Sequence, residues 1–195
     1  MDEFQINSIL CDRKIKAYSE AGMITPFVPH QVNQKQDGSR CVSYGLSSYG
    51  YDIRLANEFV IFTEKDGAII DVKQPDMFSL FTIRKIGEYV DIPPNGFVLG
   101  RSIEYFKMPT NVLGDVRSKS TYARCGSSCL ATPLEPGWHG HITLEFANHT
   151  PLPLRLYAGE GCAQVLFFKG DQCETTYSDR GGKYQGQVGV TLPRC

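Results

Sequence analysis

Short apolar runs, most of them alternating with polar residues and ending at Gly or Pro, fill this chain after one amphipathic stretch at its start. In that stretch, residues 6–22, Ile9, Leu10, Ile15 and Ala17 form part of an apolar stripe. The pattern predicts a helix capped by Asn7 or Ser8 and ended by Gly22. Residues 23–32 hold Pro26 and Pro29 and read as extended loop, while 33–41 are polar and read as mobile. Between Cys41 and Leu55, Tyr44, Tyr49, Tyr51, Gly45, Gly50 and several Ser signal tight turns beside packed aromatics. Strands are predicted at 51–55, 58–63, 78–83, 89–92 and 97–99, with a turn at Pro93-Pro94-Asn95-Gly96. Short extended pieces follow at 103–106 and 112–113, then strands at 141–147, 152–157 and 162–168. This rhythm predicts an all-β sandwich or barrel.

At 195 residues the chain reads as a single domain, 1–195, with no internal repeat or linker. Its composition shifts at Ser178: residues 178–187 contain no apolar aliphatic side chain. Such a segment buries little, so 178–195 is expected to be a mobile C-terminal tail until a ligand or partner orders it.

Hydrophobic residues at 42% and charged residues at 21% are ordinary for a globular protein, and the net charge is −1. That charge gives no case for a general nucleic-acid or anionic-membrane binder. No apolar run approaches the length of a membrane helix, and the acidic start lacks the plan of a signal peptide. A cytoplasmic protein is expected. The seven cysteines are scattered and odd in number, which favours free thiols. Cys125, Cys129, His139 and His141 offer a zinc set on paper, but without the C-x-x-C spacing that would make it a strong signal.

Three stretches carry candidate chemistry. The run Ser118-Lys119-Ser120-Thr121-Tyr122-Ala123-Arg124-Cys125-Gly126 sets two hydroxyls between two cations, which suits an oxyanion or a solvated turn equally. On the predicted strand at 141–147, Ile142, Leu144 and Phe146 share one face, and His141, Thr143 and Glu145 share the other. Glu145 is then either a solvent-facing glutamate or a partly buried acid/base with a raised pKa. Just upstream, Thr132-Pro133-Leu134-Glu135-Pro136-Gly137-Trp138 is a rigid turn bearing the only Trp, a packing anchor or a ligand contact. Gln164, inside an apolar run, either reads a base edge or satisfies a backbone group.

Taken together, Lys119 to Arg124, Thr132 to Trp138 and Thr143-Leu144-Glu145-Phe146 resemble the metal-free dCTP deaminases, relatives of the trimeric dUTPases. So do Ser47 to Arg54 and the tail from Glu174 to Gln187. The resemblance implies a distorted β-barrel or jelly-roll with an N-terminal helix and short peripheral helices. It implies a cytoplasmic homotrimer with active sites at subunit interfaces and a tail that closes over the nucleotide. The implied reaction is hydrolysis of dCTP to dUTP and ammonia, feeding dUMP and dTTP synthesis, with Mg²⁺ carried on the triphosphate, no protein metal ligands and no zinc.

By position, Glu145 matches the catalytic acid/base, and Ser120 and Arg124 its supporting polar residues. Lys119, Ser120, Thr121, Tyr122, Ala123, Arg124, Glu135, Thr143, Leu144, Glu145, Gln164, Tyr177, Lys183 and Gln187 match nucleotide-binding positions. The zinc-deaminase signature H-x-E…P-C-x-x-C is missing from the chain. Ser118 stands where many members have Gly, and Ser127 to Ala131 is smaller and more polar than usual. These departures are expected to alter the fit near the phosphates and the packing at the trimer axis. A bifunctional enzyme giving dUMP, a dUTPase and a non-catalytic trimeric nucleotide-binding regulatory domain remain alternatives, and feedback by dTTP stays open.

Overall fold

Two six-stranded sheets face each other across one core in the computed structural model, which describes residues 8–194. In chain order the elements are β1 (Ser8–Ile9), α1 (Asp12–Glu20), β2 (Ile24–Thr25), β3 (Val32–Gln34), β4 (Arg40–Ser47), β5 (Gly50–Arg54) and β6 (Glu58–Phe62). A 3₁₀ helix (Pro75–Leu80) follows, then β7 (Thr82–Ile86), β8 (Tyr89–Ile92), β9 (Phe97–Lys107) and β10 (Val112–Ser118). The remainder is α2 (Ser120–Ala123), β11 (Ser127–Leu130), β12 (His139–Asn148), β13 (Leu154–Tyr157) and β14 (Gly161–Lys169).

In the first sheet β14 is central, with β10 on one side and β1 and β5 on the other; β4 and β3 extend it. The second sheet runs β11-β12-β9-β6-β7, with β2 on β9, and β13 pairs with β8 apart from both. The sheets keep open edges, so the all-β barrel expected from the sequence is a distorted one. The inner faces meet in a single apolar cluster, where Phe106 of β9 lies 6.5 Å from Phe167 of β14, centroid to centroid.

Several boundaries differ from the sequence expectation. The helix starts at Asp12, because Ser8–Ile9 adds to the edge of β14; Asn7 lies outside the described residues. Residues 33–41 largely form the β3–β4 hairpin. At 78–83 a strand was expected, but Pro75 starts a 3₁₀ turn that holds Phe78, and the strand begins only at Thr82. The pieces 97–99 and 103–106 are one eleven-residue strand. Gly100, Ser102 and Glu104 occupy its inward positions and break the apolar pattern that would have revealed its continuity.

Those inward polar groups are all matched. Glu104, fully buried, accepts from Arg54 Nε at 2.8 Å and from the Arg54 backbone N–H at 2.9 Å. Burial nevertheless pushes the Glu104 carboxyl up, with the Arg54 charge acting against it. Ser102 repairs the irregularity in the β9–β12 ladder between His141 and Thr143: its Oγ accepts the freed Ile142 N–H at 2.9 Å. That repair fixes the register of every residue downstream on β12, including Glu145.

Candidate active site

Strand β12 alternates along its whole length between buried and half-buried positions. Ile142, Leu144 and Phe146 point into the core; His139, His141, Thr143 and Glu145 point outward, as the period of two requires. Glu145 does not face open solvent. It lines a cavity of about 270 Å³ together with Thr143, Glu135, Trp138, Tyr177 and Gln187. Its carboxyl has no hydrogen-bond partner among the described residues, and burial pushes its pKa up. The structure thus places Glu145 half-buried in a pocket and not in open solvent. Phe97 and Leu99 of β9, and Phe62 of β6, supply an apolar wall, with Leu99 directly across the ladder from Glu145.

The other wall comes from the C-terminal segment. Trp138 is buried and donates its indole N–H to the Tyr184 carbonyl at 3.0 Å, so it anchors packing and tail together. Gln187 exchanges two bonds with His141: its Nε2 donates to the His141 carbonyl at 2.6 Å, and its carbonyl accepts the His141 N–H at 3.1 Å. Gly140 makes this approach possible: it has φ +151°, and a Cβ there would meet the Gln187 backbone nitrogen at 3.1 Å. Arg180 donates to the Glu135 carboxylate at the rim of the cavity. Lys183 is exposed and donates to the Arg194 carbonyl at 2.6 Å.

Other predicted residues stand apart from this cavity. Leu144 is wholly in the core, so only its backbone can meet a ligand. Lys119 is buried and its Nζ lies 2.7 Å from Asp52 Oδ2, an oxygen that also accepts from Gln31 Nε2 at 3.1 Å. Tyr122 packs into the core. Ser120, Thr121, Ala123 and Arg124 are exposed, and the side chains of Ser120 and Arg124 have no hydrogen-bond partner among the described residues. Gln164 faces outward from β14 and donates to Ser47 Oγ at 3.3 Å.

The β11–β12 register decides what one chain can bring together. Leu130 sits opposite Glu145 and Ser127 opposite Asn148, so Arg124 lies beyond the Asn148 end of β12. Three residues of strand put its backbone on the order of 10 Å or more from Glu145. Within one chain the carboxyl half and the Ser120/Arg124 half of the expected site do not meet.

Ser118 has a structural task. Its hydroxyl donates to the Cys129 carbonyl at 3.1 Å and accepts the Cys129 N–H at 2.9 Å, stitching β10 to β11. The small polar strand β11 makes similar bonds, Ser127 Oγ to the Ala147 carbonyl at 3.1 Å and Ser128 Oγ with His149 Nε2 at 2.9 Å. The four paper zinc ligands are dispersed: Cys125 is exposed, Cys129 is in the core, His139 bonds Tyr105, and His141 bonds the Glu104 carbonyl. Among the described residues no group of three or more His, Cys, Asp or Glu side chains is placed to hold a metal ion.

Sequence reasoning missed Tyr184, Val190, Thr191 and Pro193, which bring the chain end onto the cavity. A signal was there: after the polar tract to Gln187, Val188, Val190 and Leu192 restore an apolar pattern.

Comparison with known proteins completes the picture. The model of the family described as "dCTP deaminase-like" matches residues 9–170. A dCTP deaminase from Bordetella parapertussis is 58% identical over 188 residues, 96% of this chain and 99% of the relative. One from Leptothrix cholodnii is 56% identical over 189 residues, again 96% and 99%. The crystal structure of 2'-deoxycytidine 5'-triphosphate deaminase from Agrobacterium tumefaciens aligns with a TM-score of 0.63 at 16% identity. That match covers 85% of this chain and 49% of the solved one, so it speaks for the fold, and this chain spans about half the length of that protein. A family match over most of the chain, with relatives above half identity end to end, leaves one conclusion: the chain belongs to the dCTP deaminase-like family.

Proposed function

We propose that this protein hydrolyses dCTP to dUTP and ammonia, with Glu145 as the proton-transfer group. The observation that carries the reading is a half-buried carboxyl with no hydrogen-bond partner among the described residues, raised in pKa by burial and held at a cavity wall by the β9–β12 ladder. A carboxyl whose pKa burial raises holds a proton more readily between transfers, which is what a single acid/base in this reaction needs. Glu145 takes a proton from water as the water oxygen bonds to C4 of cytosine, and delivers it to N3. The tetrahedral carbon then holds both hydroxyl and amine. Glu145 removes the hydroxyl proton and passes it to the amine; the C4–N bond breaks and ammonia leaves. Atoms balance as dCTP plus water giving dUTP plus ammonia.

Ser120 and Arg124 belong to the same chemistry in the proposed trimer, where a neighbouring copy brings them to Glu145. Their exposure and unused donors support that arrangement, as does their distance from Glu145 within one chain. Arg124 stabilises charge that builds on the base or fixes the carboxylate, and Ser120 orients the water or the base. Lys119, held by Asp52, sets the start of α2 and with it the position of Ser120.

Glu135, Thr143, Tyr177, Lys183 and Gln187 hold the nucleotide from one chain, and Thr121 and Gln164 from its neighbour. Magnesium fits as a passenger on the triphosphate, where it shields phosphate charge. In support, Glu135, the other acid that lines the cavity, is already bonded to Arg180.

The direct test is product analysis. Purified protein with dCTP and Mg²⁺ is expected to release ammonia and dUTP in equal amounts, with the same yield after zinc-selective chelation. Formation of dUMP plus pyrophosphate would assign the bifunctional reaction. Absence of ammonia would leave the dUTPase and the nucleotide-binding readings, which an assay with dUTP separates, and loss of activity on removing zinc would overturn the metal-free mechanism.

A further inference from the structure

The C-terminal segment is bonded to the sheet in two different ways. Up to Gln187 it is held mainly by hydrogen bonds to Trp138, His139 and His141, with Gln187 buried and Tyr177 packed against the main core. Beyond Gln187 it crosses β9 and β6, and there the contact is apolar. Val190 is only 3% exposed and packs with Val60 and Leu99 in a small cluster separate from the main core. Phe62, Phe97 and Leu192 close around that cluster.

The backbone at this point is clamped. Gly189 has φ +77°, and a Cβ there would come within 3.2 Å of the Glu58 carboxylate. Glu58 is itself held by Arg84 at 3.0 Å and Arg101 at 3.2 Å. Arg84 also donates to the Val190 carbonyl at 3.3 Å, and the Thr191 N–H donates to Thr143 Oγ1 at 3.4 Å. The cluster and the cavity share walls. Leu99 is both the floor under Val190 and the cross-strand partner of Glu145, while Phe62, Phe97, Thr191 and Pro193 line the cavity.

We propose that Val190, seated on Val60 and Leu99, is the anchor that holds the C-terminal segment shut over Glu145, and so is a positioning residue for the deamination argued above. The inference rests on that reading of function. The physical reason is a difference in kind between the contacts. Residues 178–186 are exposed or half-buried, and hydrogen bonds of such a stretch exchange with water at modest net cost, whereas unseating a buried valine returns apolar surface to water. The apolar seat therefore decides how much of the time the segment is closed. Closure excludes water from the Glu145 carboxyl, which agrees with the direction in which burial moves it.

Trp138 gives a reporter, because the only tryptophan donates its indole N–H to the tail at Tyr184. The experiment compares the full chain with Val190→Ala and Val190→Ile, measuring Trp138 emission, kcat/KM for dCTP with Mg²⁺, and thermal melting. Val190→Ala is expected to shift the emission to the red and to lower kcat/KM about tenfold, the scale of one to two methyl groups returned to water. The main melting transition should stay in place, since the main core does not contain Val190. Val190→Ile should recover both emission and kcat/KM. Wild-type emission in Val190→Ala, with or without an activity loss, would overturn the anchor; so would an activity loss that Val190→Ile fails to recover. Failure of the wild-type chain to release ammonia would remove the functional reading instead, and the emission arm would still decide whether Val190 seats the segment.

Discussion

Glu145 and Arg124 both lack a side-chain partner among the described residues, for opposite reasons. Glu145 sits on a strand fixed by pairing on both sides, inside a cavity whose walls come from four parts of the same chain. Arg124 sits at the end of a four-residue helix, exposed, beside the equally exposed Ser120. A carboxyl kept from partners within a cavity is poised to exchange protons. A guanidinium kept from partners at the surface is poised to meet something from outside. The contrast supports a site divided between copies of the chain, in which one contributes the pocket and the next contributes the cation and the hydroxyl.

The largest effect should come from the pocket half. Glu145→Gln keeps shape and loses the proton relay, so kcat should fall by about 10² to 10⁴ while dCTP binding, read by calorimetry, survives. Near-normal turnover in that variant would remove Glu145 from the chemistry. In the surface half, Arg124→Ala should lower kcat by roughly 10², the scale of one lost charge-stabilising donor, with the melting temperature unchanged because the exposed side chain has no hydrogen-bond partner among the described residues. A large drop in melting temperature for isolated subunits would show that Arg124 is structural.

Lys119 breaks the symmetry between the halves. The sequence offers it as a phosphate cation, yet its side chain is 10% exposed and bonded to Asp52, whose side chain is 8% exposed. Lys119→Ala leaves that carboxylate buried without a countercharge, with only the Gln31 amide bonded to it, and should cost about 3 kcal/mol of stability in a denaturant titration. An effect confined to the affinity for triphosphate would return Lys119 to the phosphate role.

The smallest effect is a matter of sign. Glu145 has a pKa raised by burial, so between the unfolded value and the raised folded value the native state holds more protons than the unfolded one. Its contribution to stability therefore falls as pH rises through that window. Glu145→Gln should melt at or above the wild-type temperature at pH 8, and the difference should shrink as pH is lowered through the window. A variant less stable at pH 8 would mean that the ionised carboxylate has a partner.

What the sequence made legible follows from which signals are local. The face assignment of Ile142, Leu144 and Phe146 against Thr143 and Glu145 needs only the period of two, and it held. The long strand β9 was hidden because Ser102 and Glu104 face inward, and their partners, Ile142 and Arg54, are 40 and 50 residues away. The role of Ser118 was unreadable for the same reason: its bonds go to Cys129 on a neighbouring strand. The tract 178–187 was read from composition alone, whereas its bonds to Trp138, His139 and His141 and the packing of Val190 just beyond it depend on strands far away in sequence. Lys119 shows the limit most plainly, since a cation next to two hydroxyls looks the same in sequence whether it serves a ligand or a buried aspartate.

The division of the site between copies can be tested with two inactive variants. Glu145→Gln and Arg124→Ala are each purified, unfolded and refolded together in equal amounts, and ammonia release from dCTP is measured. In a trimer with shared sites, random mixing pairs an intact Glu145 with an intact Arg124 in about one quarter of sites, so activity should recover to about a quarter of the wild-type value. If both groups serve from the same chain, each site lacks one of them whatever the mixture, and a mixture no more active than its components would contradict the account.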